Sequence, residues 1–290
     1  MIAGCGYLGR RIAKHWQKQA LPVVAMTRNS ERAAEFEANG WQAVVGDVAK
    51  AGLTAPRPDV ETLVYAVGFD RSAGYDRQSL HPGGLKTLLA QLPNVHRVVY
   101  ISTTGVYGDS GGGWIDESAP TSPDRESSRV CLCAEQVVAK WATIENHHGT
   151  SLRLGGLYGP NRVPYGKQLM AGEELAASPA GYLNLIQVDD AARITCLVAG
   201  TKTLPDVLNV TDGEPVIRKD YFQEIARLVG APEPRYAIRN TTSTRRNVAD
   251  RQISNARLRK HLAFELQFPS YRDGLADAIE NTEPEEHPAR

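Results

Sequence analysis

The stretch GCGYLG, residues 4–9, is followed by an amphipathic segment in which Leu8, Ile12 and Trp16 share one helical face. Its glycines stand in the pattern G-x-G-x-x-G: Gly4, Gly6 and Gly9. At a strand-to-helix turn, the first glycine permits the tight turn and the second lets a pyrophosphate approach the backbone. The third allows the helix to pack against the strand. The pattern therefore predicts a dinucleotide-binding turn, with a plain glycine-rich turn as the alternative.

The segment before this motif is short. Only Met1, Ile2 and Ala3 precede Gly4, so the first strand of such a fold is expected to be a stub. A natural chain that starts further upstream is one explanation.

A second expected strand, PVVAM at residues 22–26, ends about 20 residues after the motif, where the cofactor ribose is recognised in this type of fold. The residues that follow it are Thr27, Arg28, Asn29 and Ser30. An acidic residue would accept a hydrogen bond from a free ribose 2′-hydroxyl, whereas the charged fork of Arg28 suits a 2′-phosphate. The sequence therefore favours NADP over NAD as the cofactor, with a solvated loop arginine as the alternative.

Short apolar runs rich in β-branched residues alternate with helical patterns along the chain, as in TLVYAV (62–67), RVVYIS (97–102) and SLRLGGL (151–157). This alternation predicts an α/β fold with a doubly wound parallel sheet, a Rossmann-like arrangement. We expect an NAD(P)-binding domain at residues 1–160 plus about 186–211. A small discontinuous substrate lobe is expected at about 161–185 and 212–280, followed by a flexible tail at 281–290.

The charge and cysteine content exclude several classes of protein. The 33 Lys and Arg residues balance the 33 Asp and Glu residues, so no net field favours nucleic acid or an anionic membrane. Four cysteines without a paired C-x-x-C spacing indicate reduced thiols. His147 and His148 precede Gly149 and are interpreted as a helix end, so no metal site is expected. No signal peptide or apolar span is found, which predicts a soluble, cytoplasmic protein. A monomer or a homodimer is expected.

From Gly4 to about Tyr271, the order of motifs resembles the extended short-chain dehydrogenase/reductase superfamily, in its NAD-dependent epimerase/dehydratase group. The matching segments are GCGYLG (4–9), GDV (46–48), VYAVG (64–68), YISTTGVYGD (100–109), LRLGGLYGP (152–160), VDDAA (188–192) and LNVTDGEP (208–215). The resemblance implies the same Rossmann-like fold, a nicotinamide cofactor and a small-molecule substrate.

The resemblance also implies roles for individual residues. Asp47 and Val48 would lie near the adenine, and Ala66 and Gly68 under the cofactor. The glycine-rich turn would supply the remaining cofactor contacts, namely Gly4, Gly6, Tyr7, Leu8 and Gly9.

The family's chemistry depends on a Tyr-x-x-x-Lys pair on one helix face, in which the lysine lowers the pKa of the phenol. In SSRVCLCAEQVV, residues 127–138, the tyrosine position is Ser127 and the lysine position is Cys131. Neither replacement supplies the acid or the cation, so the chain resembles an atypical subgroup that lacks the pair. Cys131 as a nucleophile is an alternative to a small cysteine that packs in the core.

Other residues are candidates for the cleft. Thr103 stands at the family's Ser/Thr position and could contact substrate, or could simply end a strand, whereas Tyr107 is expected to be a packed aromatic. His81 could titrate near neutrality and take part in chemistry. Polar and cationic residues that could enter the cleft from the small lobe suggest an anionic substrate, with surface solvation as the alternative: Arg162, Tyr165, Lys167 and Arg251.

The sequence is compatible with three functions. The leading hypothesis is an enzyme-like NAD(P)-binding protein of the epimerase/dehydratase type, an oxidoreductase or related enzyme with a non-standard active site. Its substrate would be small, and phosphorylated or nucleotide-linked. A non-catalytic dinucleotide-binding sensor or regulatory interaction protein is the rival, and thiol chemistry at Cys131 is the third possibility.

Overall fold

A computed structural model describes residues 1–54, 56–237 and 249–282 of the chain. The strands are β1 (Ile2–Ala3), β2 (Val24–Thr27), β3 (Gln42–Asp47), β4 (Gly52–Leu53), β5 (Thr62–Tyr65), β6 (Arg97–Thr103), β7 (Trp114–Ile115), β8 (His148–Leu154), β9 (Gly156–Tyr158), β10 (Tyr182–Leu183), β11 (Leu185–Gln187), β12 (Val207–Val210), β13 (Val216–Ile217) and β14 (Gln252–Ile253). The helices are α1 (Gly9–Lys18), α2 (Ser30–Ala38), α3 (Gly84–Gln91), α4 (Glu126–Trp141), α5 (Gly166–Met170), α6 (Val188–Gly200), α7 (Arg218–Leu228), α8 (Ala256–His261) and α9 (Tyr271–Glu280).

The main sheet has eight strands in the order β12-β8-β6-β5-β1-β2-β3-β4. Neighbouring strands are parallel except for β3 and β4, which pair antiparallel. The order reverses direction at β1, so successive crossovers run to either side of it. This is the doubly wound α/β arrangement that the alternating pattern predicts, and the fold prediction is confirmed.

Alternating side chains of the strands are buried on both faces of the sheet. Val64 and Val99 belong to the apolar cluster that α1 and α6 cover, whereas Tyr65 and Tyr100 belong to the cluster that α3 and α4 cover. Burial on both faces explains why these strands are continuous apolar runs rather than alternating polar and apolar ones.

The central strand β1 consists of Ile2 and Ala3 alone, and both are fully buried. They pair with Ala25 and Met26 on one side and with the β5 strand on the other. The expected stub is therefore confirmed, and its two residues place Gly4 directly at the carboxyl edge of the sheet, where ligands bind in such folds.

A separate apolar cluster joins three helices that lie apart from the two faces of the main sheet. It includes Leu169 of α5, Phe222 of α7 and Leu275 of α9. Leu258 of α8 packs instead against the sheet. The expected domain boundaries stay a prediction. Of the expected tail, residues 283–290 lie outside the described chain.

None of the helices in the described ranges is both long enough and apolar enough to cross a membrane.

Candidate functional site

The glycine-rich turn forms one wall of a cavity of about 480 Å³ at the carboxyl edge of the sheet. Gly4 has a φ of +87°, and a Cβ there would lie 2.5 Å from the carbonyl of Ala66. A Cβ on Gly9 would lie 2.6 Å from the carbonyl oxygen of Gly4. The turn therefore needs glycine at both positions, as the motif predicts.

The middle glycine has a different environment. A Cβ on Gly6 would meet nothing within 4 Å, and the same holds for Gly68 across the cavity. Both backbones are thus open to a ligand. Tyr7 and Leu8 also border the cavity, and α1 begins at Gly9 directly behind the turn. An open backbone at the start of a helix suits a phosphate group, so the cavity fits a dinucleotide.

Arg28 and Arg32 border the same cavity beyond β2. The Nη2 atom of Arg28 lies 3.4 Å from a carboxylate oxygen of Asp70, and its guanidinium lies 5.3 Å from the ring centroid of Tyr75. Both partners of the ion pair are exposed, so solvent screens it and a stronger anion can displace Asp70.

The two residues that the resemblance assigns to the adenine differ in position. Val48 borders the cavity together with Ala66 and Gly68. The carboxylate of Asp47 accepts hydrogen bonds from the backbone N–H of Ala49, at 3.0 Å, and from the hydroxyl of Tyr75. Asp47 therefore stabilises the turn behind the cavity.

A larger cleft of about 920 Å³ lies beside this cavity. Its sheet side brings together four residues singled out from the sequence: His81, Thr103, Ser127 and Cys131. Tyr165 and Arg251 also border it. Arg162 lies elsewhere, over the ring of Tyr7 in the cofactor cavity, and Lys167 in α5 borders neither space.

The prediction that His81 titrates near neutrality is wrong. His81 lies in a π-helical turn, Ser79–Gly83, which contains Pro82 and precedes α3. Its Nδ1 atom lies 3.4 Å from the hydroxyl of Tyr100, and burial lowers its pKa to about 4. His81 is thus a neutral hydrogen-bonding group at pH 7.

Ser127 and Cys131 lie four residues apart in α4 and border the cleft together. Both are half-buried, and burial raises the pKa of the Cys131 thiol. A raised pKa keeps the sulfur protonated, so its nucleophilicity is low. The side-chain oxygen of Thr103 accepts a hydrogen bond from the N–H of Gly105 at 3.0 Å and so holds the turn after β6.

Sequence reasoning missed three further arginines of the cleft: Arg77, Arg125 and Arg218. Arg218 donates to the carbonyl oxygens of Ala180 at 3.0 Å and Tyr182 at 3.2 Å. Its position at the start of an ordinary amphipathic helix carries no local signal of a ligand site.

Arg251, which the sequence singled out, makes the same kind of contact as Arg218. Its guanidinium donates to the carbonyl oxygens of Gly108 at 3.1 Å and Thr104 at 3.0 Å. Burial lowers the pKa of both Arg218 and Arg251, and the charge of Arg125 adds to this effect on each. Arg125, Arg218 and Arg251 thus form a group of positive charges, which we call the arginine cluster.

A buried polar network supports the sheet side of the cleft. The guanidinium of Arg153 forms a two-pronged ion pair with Glu135, with a shortest distance of 2.7 Å, and Ser102 donates to the same carboxylate. The Tyr107 ring lies 4.8 Å from the guanidinium, and its hydroxyl donates to Asn209 at 2.9 Å. Tyr107 is therefore the packed aromatic that the sequence predicts.

In the described ranges, no group of three or more His, Cys, Asp or Glu side chains is arranged to hold a metal ion.

Comparisons with known proteins identify the family. A sequence model of the NAD dependent epimerase/dehydratase family matches residues 1–172. Protein YeeZ of Escherichia coli K12 is 28% identical over 214 residues, which are 73% of this chain and 73% of YeeZ. A conserved protein of unknown function from Silicibacter pomeroyi is 26% identical, with a TM-score of 0.74 over 97% of both chains.

Among the solved enzymes, UDP-glucose 4-epimerase of Thermus thermophilus in complex with NAD has a TM-score of 0.78 at 17% identity over 97% of both chains. This likeness concerns the fold alone. The family match covers more than half of the chain and includes the glycine-rich turn, the helix α4 and the segment after β9. The protein therefore belongs to the NAD-dependent epimerase/dehydratase family.

Proposed function

We propose that the protein binds NADP(H) in preference to NAD(H) and a small anionic ligand beside it, and that it acts without a Tyr/Lys acid–base pair. The observation that carries this proposal is that the cofactor cavity and the cleft adjoin. The cavity is bordered by the glycine-rich turn, Arg28 and Arg32, and the cleft is bordered by the arginine cluster. Phe69 borders both.

The preference for NADP rests on Arg28 and Arg32. Both border the cavity at the end of β2, and the exposed pair between Arg28 and Asp70 can open at little cost. A ribose 2′-phosphate would gain charge-assisted hydrogen bonds from the guanidinium groups. The Thermus thermophilus enzyme is bound to NAD, so the proposed preference would differ from the cofactor of that enzyme.

The anionic ligand is inferred from the arginine cluster. Arg218 and Arg251 are partly desolvated, and their hydrogen bonds within the described chain go to carbonyl oxygens. The carboxylates of Asp250 and Asp109 act on them only at longer range. A phosphate or diphosphate would neutralise this charge, and a nucleotide-linked substrate fits the cleft in both charge and size.

We propose that α4 forms a wall of the cleft and does not supply an acid or a base. A serine hydroxyl without a neighbouring base is a poor acid, and the Cys131 thiol stays protonated because burial raises its pKa. Bound nicotinamide would supply hydride chemistry. The side chains of this wall would orient the ligand and exclude water.

A non-catalytic dinucleotide sensor is the second candidate. The neutral state of His81 favours it, because burial lowers the pKa of the imidazole to about 4 and removes an acid–base group from the wall at pH 7. A sensor is expected to bind both redox forms of the cofactor and to respond by a change of partner or oligomer.

The experiment uses UDP as a diphosphate probe for the protein saturated with NADP⁺. Wild type should bind UDP, and Arg251→Gln should weaken UDP at least about tenfold while leaving NADP⁺ unchanged, because a charge-assisted contact is lost. Arg57→Gln, at an exposed loop residue, is the matched control. Equal affinity for UDP in wild type and Arg251→Gln would refute the anionic cleft.

A companion assay separates the two candidate functions. Nicotinamide absorbance and the sugar products are both followed after UDP-sugars are mixed with the NADP⁺-bound protein, because an epimerase or a dehydratase returns the hydride and leaves no net change in absorbance. A converted sugar or a change in absorbance supports an enzyme. Binding of both NADP⁺ and NADPH with neither change supports the sensor.

A further inference from the structure

Phe69 lies at the junction of the two spaces, since it borders both the cofactor cavity and the cleft. The guanidinium carbon of Arg77 lies 3.6 Å from the ring centroid of Phe69, which is contact distance for a guanidinium stacked on an aromatic face. Arg77 itself borders the cleft and is half-buried. The stacking thus fixes a positive charge beside the passage between the cavity and the cleft.

The polar edge of Arg77 distinguishes it from Arg28, Arg218 and Arg251, whose guanidinium groups have protein partners. Arg28 pairs with Asp70, whereas Arg251 donates to two carbonyl oxygens. Within residues 1–54, 56–237 and 249–282, the guanidinium of Arg77 has no hydrogen bond or ion pair. A stacked guanidinium presents its N–H groups in one plane, so this edge can bind ligand oxygens without breaking a protein contact.

The charge of Arg77 acts on the wall of the cleft. Burial lowers the pKa of His81 and Arg77 adds to that effect, whereas for Cys131 the charge of Arg77 partly opposes the rise in pKa that burial causes. Arg125 acts on both Arg218 and Arg251. Two groups of positive charge therefore border the cleft. The one at the junction is Arg77, next to the helix face that carries Cys131.

We propose that Arg77 binds ribose and phosphate oxygens of the nicotinamide-bearing half of the dinucleotide, where the cofactor passes from the cavity into the cleft. This inference rests on the proposed cofactor binding. The adenosine half lies with Arg28 in the cavity, so Arg77 has no role there. Arg77 is a binding and positioning residue, and the stack on Phe69 is what holds it in place.

The test compares two ligands in binding titrations: NADP⁺, and adenosine 2′,5′-bisphosphate, which lacks the nicotinamide-bearing half. Arg77→Gln should weaken NADP⁺ about tenfold and leave the bisphosphate unchanged, whereas Arg77→Lys, which keeps the charge but loses the stacked planar fork, should restore only part of the NADP⁺ affinity. Arg71→Gln is the matched control, because Arg71 is an exposed arginine of the same loop and borders neither space.

A second variant, Phe69→Leu, removes the stacking platform but keeps the charge. It should weaken NADP⁺ by a few-fold, again with the bisphosphate unchanged, and circular dichroism should show native folding for each variant. Unchanged NADP⁺ affinity in Arg77→Gln overturns the inference, and so does an equal loss for both ligands. Failure of wild type to bind either ligand refutes the proposed function itself, so the two failures are distinguishable.

Discussion

Replacing Arg28 by aspartate should convert the proposed NADP preference into a preference for NAD. The substitution removes a cation from the cavity wall beyond β2 and puts a carboxylate there. That carboxylate repels a 2′-phosphate and can accept a hydrogen bond from a free 2′-hydroxyl. The affinity for NAD⁺ should therefore change little or improve.

The magnitude follows from the contacts of the side chain. Arg28 gives up only an exposed ion pair at 3.4 Å when it turns to a phosphate, so most of the new interaction is a net gain. Charge-assisted hydrogen bonds contribute about 1.5–3 kcal/mol, which corresponds to a roughly 10- to 150-fold loss of NADP⁺ affinity on removal. Arg32 remains at the same wall and keeps the loss toward the lower end of this range.

Isothermal titration of wild type and Arg28→Asp with NADP⁺ and NAD⁺ measures the four dissociation constants at one salt concentration. Salt must be held fixed because it screens exposed charges. Arg57→Asp, a charge reversal at an exposed loop residue, controls for the change in net charge. An equal loss of affinity for both cofactors would show that Arg28 only supports the loop and would refute the reasoning.

Three other predictions concern the wall of the cleft. Burial lowers the pKa of His81 from 6.5 to about 4. The free energy of unfolding should therefore be highest above pH 6.5 and should fall as the pH falls to about 4, because the unfolded chain takes up the proton first. In urea unfolding, His81→Gln should remove about 3 kcal/mol of this pH dependence. Glu135→Ala leaves the buried guanidinium of Arg153 unpaired and should lower the free energy of unfolding by about 3–5 kcal/mol. Ser127→Ala and Cys131→Ala should each leave any native turnover rate within a few-fold, since neither side chain is an effective acid or base.

Controls for these variants come from exposed neighbours. His148→Gln should leave the pH dependence of unfolding as in wild type, and Gln136→Ala should leave the stability nearly unchanged. If His81→Gln loses as much stability as wild type between pH 6.5 and about 4, the first prediction is contradicted. If Glu135→Ala is as stable as wild type, the second prediction is contradicted. A loss of about 10² or more in rate from Ser127→Ala would identify a working general acid–base group and overturn the account of α4.

The glycine-rich turn could be predicted from sequence because its requirements are local. Gly4 needs a positive φ and Gly9 needs close backbone contact, and both are consequences of a few neighbouring residues. The two-residue strand β1 could be predicted for the same reason. The family resemblance placed Ser127 and Cys131 at the cleft, and their four-residue spacing placed them on one face of α4.

The remaining features depend on contacts between distant parts of the chain. The hydrogen bond from Arg251 to the carbonyl of Thr104 joins residues 147 positions apart, and no local pattern reveals it. The titration of His81 was predicted wrongly because its burial against Tyr100 arises from packing of separate elements. Arg77 was missed because stacking on Phe69 leaves no periodic signal in the sequence.

The central claim is that the cavity around the glycine-rich turn binds a nicotinamide dinucleotide. Calorimetric titration of the wild-type protein with NADP⁺ and NAD⁺ tests it most directly. The account predicts saturable binding of one dinucleotide per chain, with NADP⁺ bound more tightly than NAD⁺. It is contradicted if neither dinucleotide shows saturable binding at millimolar concentration.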